Sequence, residues 1–162
     1  MKYRKEWILN MDNVKILYDD ELKTYIMDEI NSKIDGAIWN GVYFFKGRNN
    51  YPEGTYVYSE NEKYHIVSIE KGKIIEKIEY ESLVDILWDV LEVVSFPIST
   101  KYATENFDKR FDYRRKLFEN QIDLYSRFGE NFKNKKIKEI KKILEKNPYL
   151  DNEEYDVRHS GY

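Results

Sequence analysis

Three acidic residues come closest to a pattern that could do chemistry. Asp85, Asp89 and Glu92 follow an i, i+4, i+7 spacing, which places their carboxylates on one face of a helix. Carboxylates grouped in this way can bind a divalent cation or act as a general acid and a general base. The neighbouring residues, including Trp88, are mostly apolar, so the pattern is more typical of the solvated stripe of an otherwise buried helix.

The other sequence patterns that enzymes use are missing from the chain. Its two histidines, His65 and His159, lie in no zinc-binding motif such as H-E-x-x-H, and its seven glycines form no phosphate-binding motif. The absence of cysteine excludes disulfides, thiolate metal sites and cysteine nucleophiles. The sequence therefore predicts that the protein is not an enzyme and holds no metal or cofactor.

Charge is distributed unevenly along the chain, whose net charge is −3. Residues 109–147 carry thirteen basic and six acidic side chains, whereas residues 82–108 and 148–162 are both acidic. A lysine-rich stripe in the basic segment could contact nucleic-acid phosphates. It contains no arginine or interleaved aromatic residue, so we favour a solvated helix face, with a nucleic-acid-binding accessory protein as the alternative. Its members are Lys133, Lys135, Lys136, Lys138, Lys141, Lys142 and Lys146.

Hydrophobic periodicity predicts the elements that must position these residues. A first helix is predicted to follow Asp19 and Asp20 and to end by Gly36. Strands are predicted over residues 42–45, 55–59, 64–70 and 73–80, and further helices from Ser82, from Asp108 to Phe128 and from Asn131 to Lys146. This order indicates an α+β fold, in which a small antiparallel sheet of three to four strands with a central meander packs against about four helices.

One stretch of the chain allows two structures. A helix capped by Ser82 is predicted to have apolar residues almost all round, which indicates a central position. Residues Leu91 to Phe96 could instead form a strand, and Pro97 is predicted to end either element.

Length and hydropathy predict one soluble domain. The 162 residues suffice for a single core and are expected to form one domain over residues 1–162, with an acidic tail from about residue 150. No window reaches the roughly 18 apolar residues of a membrane span, and residues 1–12 lack the pattern of a secretion signal. We therefore expect a cytoplasmic monomer that does not bind membranes.

Arg114 is the one charged residue on the apolar stripe of the third predicted helix. An unpaired guanidinium there would be costly, so it should find a carboxylate or several carbonyl groups. Arg115 can pair with Asp112 or Glu119 one turn away. An anion-binding site is possible, but we favour a structural role for Asp112, Arg114 and Arg115, with Arg114 as a buried strut that fixes the helix against the sheet.

Three segments of the chain resemble the bacterial immunity protein 63 family. They are Tyr64–Gly72 in a strand, Asp112–Gln121 with its D-Y-R-R and F-E-N-Q sequences, and N-P-Y-L-D at Asn147–Asp151. The resemblance spans about Tyr56 to Asp151. It implies a non-catalytic cytosolic protein that binds and neutralises a cognate toxin of a polymorphic, or contact-dependent, toxin system, and the family has no catalytic residues to carry over.

If the toxin is basic, the acidic segments are the expected interface. The rigid stripe of Asp85, Asp89 and Glu92 and the tail would accelerate association, and some of the fifteen tyrosines would supply the buried anchors. The tail residues proposed for this interface are Asp151, Glu153, Glu154 and Asp156.

Overall fold

The computed structural model describes residues 15–151 of the chain. This range contains four helices, α1 (Asp19–Asn31), α2 (Leu83–Glu105), α3 (Tyr113–Ser126) and α4 (Glu130–Lys146). It also contains four strands, β1 (Val42–Tyr43), β2 (Gly54–Glu60), β3 (Lys63–Glu70) and β4 (Lys73–Tyr80). The predicted α+β class is confirmed. No helix in this range is long and apolar enough to cross a membrane.

The strands form one open sheet in the order β1-β2-β3-β4. β2, β3 and β4 make the predicted antiparallel meander, but β1 pairs parallel to β2, so the sheet is mixed rather than purely antiparallel. The predicted strand over residues 42–45 is reduced to two residues. Residues 44–53, the crossing segment, do not extend β1, because the Phe45 and Tyr51 rings in this segment pack on Tyr56 of β2. A parallel pair of strands needs a crossover connection between them.

Tight turns of the type favoured by twisted strands join the meander. Asn61 and Glu62 adopt positive φ in the first turn, and Lys71 and Gly72 do so in the second. Both turns lie where the sequence predicted them. β4, at the edge of the sheet, contains a bulge at Ile75, whose side chain is exposed. Bulges and charged side chains discourage edge-to-edge pairing with other chains.

Side chains of β2 and β3 are buried on both faces of the sheet. Leu17 contacts one face, where its backbone N–H donates to the Tyr64 hydroxyl at 3.1 Å. On the other face Tyr56 is fully buried, and the crossing segment covers it. The rings of Tyr43 and Phe45 lie 4.8 and 5.5 Å from the Tyr56 ring, measured between centroids.

The chain forms two compact units when residues are grouped by contacts. The first comprises the residues up to Ser32 together with Trp39–Glu92, and the second comprises Lys33–Ile38 and the residues from Val93 onward. Helix α2 contributes residues to both units. The single domain expected from the sequence stays a prediction.

Helix α2 continues through Pro97 to Glu105, so the prediction that Pro97 would end it was wrong. The strand alternative for residues 91–96 was wrong as well. A proline inside a helix costs about 3 kcal/mol, but Pro97 is exposed while Val94 before it and Ala103 after it are buried. Packing on both sides of the proline therefore keeps the chain helical. At the other end Ser82 is the cap that the sequence predicted, and its hydroxyl accepts from Asp85 N–H at 3.1 Å.

Gly54 holds the start of β2 against the turn before β1. A Cβ atom at this position would lie 2.4 Å from the Gly41 carbonyl oxygen, and φ is +155°. We expect Gly54→Ala to lower the free energy of unfolding by about 2 kcal/mol, because backbone must shift to relieve the clash. Gly36→Ala is the control, since Gly36 also has positive φ but no atom within 4 Å; strain alone should cost about 1 kcal/mol. Urea unfolding checks both, and equal losses would contradict the argument.

Candidate functional site

The start of α3 is fixed by Asp112. The sequence placed this start near Asp108, but the helix begins at Tyr113 because the Asp112 carboxylate caps it and accepts from Arg114 N–H at 2.9 Å. Asp108 instead forms a separate turn with Arg110. Phe111 falls inside the predicted helix from Asp108 to Phe128, but in the structure it precedes α3 and is exposed.

Arg114 ties this helix start to the segment that follows α4. Its guanidinium donates to the Asp112 carboxylate at 2.9 Å and to the carbonyl oxygens of Asn147 and Pro148 at 2.8 and 2.9 Å. Asp112 in turn accepts from Leu150 N–H at 2.9 Å. Arg114 thus contacts a carboxylate and carbonyl groups, as predicted, and these contacts secure the end of α4; its expected role against the sheet stays a prediction.

Arg115 pairs with Asp151, not with the local partners that the sequence suggested. Its Nε donates to the Asp151 carboxylate at 2.8 Å, and Asp112 N–H donates to the same group at 2.7 Å. The two predicted partners are engaged elsewhere, Asp112 with Arg114 and Glu119 with Lys116. Spacing alone could not reveal this, because Asp151 lies thirty-six residues away.

An aromatic ring completes the arrangement. The guanidinium of Arg115 lies 4.0 Å from the centroid of the Tyr149 ring, and that of Arg114 lies 5.5 Å from it. Cation–π contacts of this type stabilise by about 0.5–2 kcal/mol. We call Asp112, Arg114, Arg115, Tyr149 and Asp151 the clasp. Two segments that carry the family resemblance, separated by twenty-five residues, therefore form one structural unit.

Burial and hydrogen bonds act in opposite directions on the carboxylates of the clasp. Burial raises the pKa of Asp112, but hydrogen bonds from the Arg114 side chain and from the N–H groups of Leu150 and Arg114 outweigh it and lower this pKa to about 2. The hydrogen bond from Arg115 lowers the pKa of Asp151. Both carboxylates are therefore charged at neutral pH.

This shift predicts a pH-dependent contribution to stability. Because the pKa of Asp112 is lower in the folded chain than its ordinary value of 3.8, the contribution is complete above about pH 4 and is lost as the pH falls towards 2. We expect the difference in unfolding free energy between the wild type and Asp112→Asn to shrink by about 2 kcal/mol between pH 5 and pH 2. Urea titrations at both pH values measure it, and a constant difference would contradict the prediction.

The acidic residues that the sequence grouped as an interface differ in their surroundings. Asp85 is exposed, whereas Asp89 and Glu92 are half-buried. Asp151 belongs to the clasp, and only 16% of its side chain is exposed. Glu153, Glu154 and Asp156 lie outside the described residues, as does His159. Among residues 15–151, no group of carboxylates and histidines could hold a metal ion.

Lys136 does not belong to a solvated lysine face. It is 1% exposed and occupies a core position on α4, so the prediction is wrong for this residue. Its Nζ lies 4.3 Å from the centroid of the Tyr125 ring and 3.3 Å from the Glu139 carboxylate. Lys133 is half-buried. The other lysines of the stripe are exposed, namely Lys135, Lys138, Lys141, Lys142 and Lys146.

His65 is part of the sheet. Its ring stacks on Tyr58 with centroids 4.9 Å apart, and its Nε2 lies 3.0 Å from the carbonyl oxygen of Glu60. A histidine with these contacts has a packing role, and nothing in its surroundings resembles a catalytic dyad.

Comparison with known proteins identifies the family. Residues 60–142, just over half of the chain, match the family described as immunity protein 63. The chain belongs to the immunity protein 63 family. The match runs from the end of β2 into α4 and includes Asp112, Arg114 and Arg115. It is narrower than the resemblance predicted, because Tyr149 and Asp151 lie beyond it. No curated protein and no solved structure matches the chain.

Two surface grooves of this immunity protein 63 family member were not predicted. The first, of about 390 Å³, is lined by residues of α1 and of the segment 39–45 and lies outside the family match. We call it the aromatic groove; its residues are Asp20, Lys23, Met27, Trp39, Val42, Tyr43, Phe44 and Phe45. The sequence feature that could have indicated this groove is the run W-N-G-V-Y-F-F at residues 39–45, which contains three types of aromatic residue and no charge.

The second groove, of about 500 Å³, lies beside the clasp and inside the matched segment. Exposed Phe107 and Phe111 contribute its apolar surface. Its charged groups are paired, since Arg110 binds Asp108 and Lys116 binds Glu119.

Proposed function

We propose that the protein is an immunity protein that binds a cognate polymorphic toxin in the cytosol and neutralises it without catalysis. The observation that carries the proposal is the family match over residues 60–142. An inhibitor of this type needs a rigid, complementary surface rather than reactive groups. The clasp supports such a role, because it fixes the chain after α4 to the start of α3.

Electrostatic attraction would contribute to association if the toxin is basic. Of the acidic residues predicted to act in this way, Asp85 is exposed, while Asp151 is bound to Arg115. We therefore assign the long-range attraction to the stripe of Asp85, Asp89 and Glu92 and to the tail residues Glu153, Glu154 and Asp156. Charges that act through long-range attraction change association rates more than affinities.

The proposal predicts that a neighbouring gene encodes the cognate toxin domain, and it is tested with that domain in purified form. We expect a 1:1 complex in size-exclusion chromatography with light scattering, and complete inhibition of the toxin at one equivalent of this protein. An unrelated toxin domain of similar size and charge is the control and should not bind. No complex with the neighbouring toxin would contradict the proposal, and inhibition at far less than one equivalent would contradict a non-catalytic mechanism.

The acidic residues give a further prediction. We expect Asp85→Lys, and separately deletion of the chain after Asp151, to slow association with the toxin about threefold at low salt. Both differences should disappear at high salt, because screening removes long-range attraction. Stopped-flow measurements at two ionic strengths provide the test. If the association rates of both variants equal that of the wild type at low salt, the acidic residues are not part of the interface.

A further inference from the structure

We infer that the aromatic groove is the surface that binds the toxin, and that it accepts a polypeptide segment with an apolar side chain beside a lysine or arginine. This inference rests on the proposed function and adds the place and the chemistry of the contact. It differs from the acidic stripe and tail, which act at a distance.

The groove exposes aromatic surface that no other described element covers completely. The Phe45 side chain is 51% exposed and that of neighbouring Tyr51 is 37% exposed, while Trp39, Tyr43 and Phe44 are half-buried. Contiguous exposed apolar surface is uncommon in soluble monomers and marks binding sites. Tryptophan and tyrosine are also the residues that most often dominate binding energy at protein interfaces.

The groove is held rigid before any partner arrives. The Trp39 indole N–H donates to the Asn31 side-chain oxygen at 2.9 Å, and the Trp39 ring lies 6.1 Å from that of Phe44. The backbone between them is fixed by hydrogen bonds from Val42 N–H to Trp39 O at 3.0 Å and from Thr55 N–H to Gly41 O at 2.7 Å. A preformed surface loses little conformational entropy on binding.

Charge identifies the chemistry of the partner. Helix α1 carries five acidic residues and one lysine, a net charge of −4, whereas the segment 39–45 carries no charge. Asp20 and Lys23 both line the groove, so the excess of negative charge beside it comes from Asp19, Glu21 and Asp28, which are also exposed on α1. A segment that combines apolar and basic side chains complements this surface. Nucleic acid does not, because its phosphates would be repelled.

The second groove lacks these properties. Its ion pairs compensate one another, so it favours no sign of charge in a partner. It also lies within the segment that the chain shares with its family. An immunity protein must distinguish its own toxin from those of relatives, and residues outside the shared segment can provide that distinction.

The experiment compares two exposed phenylalanines and two exposed charges. Phe45→Ala is expected to raise the Kd for the neighbouring gene's toxin domain at least 30-fold, whereas Phe107→Ala in the second groove should change it less than threefold. Asp20→Lys should slow association and Lys23→Glu should accelerate it. These two positions are exposed on α1, so they test the inference even if Phe45→Ala loosens the packing around Tyr56.

The outcomes separate this inference from the proposed function. If Phe45→Ala and Asp20→Lys both bind the toxin domain as the wild-type protein does, the aromatic groove is not the toxin-binding surface. The proposed immunity function would be unaffected by that result. If Phe107→Ala lowers the affinity for the toxin domain more than Phe45→Ala does, the second groove rather than the aromatic groove binds the toxin. Wild-type protein that binds no toxin domain but binds RNA or DNA overturns both proposals.

Discussion

Replacing Arg114 with alanine is expected to lower the free energy of unfolding by about 3 kcal/mol. The Asp112 carboxylate, with only 11% of its side chain exposed, would lose its ion-pair partner. The carbonyl groups of Asn147 and Pro148 would lose their donor. Urea unfolding measures the loss, and thermal unfolding should show a midpoint lower by about 9 °C. Toxin affinity at 20 °C should change much less than stability.

The chain provides a matched control for this variant. Asp108 and Arg110 have the same i, i+2 spacing as Asp112 and Arg114, but the Arg110 side chain is 74% exposed, and within residues 15–151 it binds no carbonyl group beyond its own turn. Exposed ion pairs contribute little, so Arg110→Ala should cost less than about 0.5 kcal/mol. Equal losses from the two variants, or a melting temperature of Arg114→Ala within a degree of the wild type, would refute the role of the clasp.

The largest loss is expected from Lys136→Glu. This change puts a second carboxylate beside Glu139 and against the negative face of the Tyr125 ring, where Lys136 is now 1% exposed. A buried charge without a compensating partner costs about 4 kcal/mol. The variant should therefore be largely unfolded or have a strongly reduced unfolding midpoint in urea.

Two further substitutions identify the cause of that loss. Lys138→Glu makes the same change of charge at an exposed position of α4 and should cost less than about 0.5 kcal/mol. Lys136→Met keeps the volume but removes the charge, and it should be tolerated far better than Lys136→Glu. A Lys138→Glu protein as unstable as Lys136→Glu would show that helix charge, not burial, is responsible.

Features with local causes could be predicted from the sequence. The turns at Asn61 and at Lys71-Gly72 follow from the backbone conformations that those residues tolerate, and the start of α2 follows from the capping side chain of Ser82. The α+β class followed from the order of these elements. The family followed from segments that are themselves short and local.

Features with long-range causes could not be predicted in the same way. The continuation of α2 past Pro97 depends on packing around Val94 and Ala103, which outweighs the local preference. The partner of Arg115 is Asp151, and the burial of Lys136 depends on Tyr125. In each case the decisive contact joins residues that no spacing rule connects.

The candidate sites show the same division. Asp112, Arg114 and Arg115 were recognised from their position on a helix, but their convergence with Tyr149 and Asp151 requires the tertiary structure. The aromatic groove was missed because its residues come from α1 and from the segment 39–45, whose aromatic run is equally typical of a buried strand.

The immunity function is measured by the growth of bacteria that produce the toxin domain expected from the neighbouring gene. We predict that these cells stop growing when they make the toxin alone and grow normally when they also make this protein. Cells that make an inactive toxin variant give the baseline growth rate. The Lys138→Glu variant of this protein, which is expected to fold, serves as a comparison. Cells that fail to grow although the wild-type protein is folded and in excess of the toxin would contradict the account.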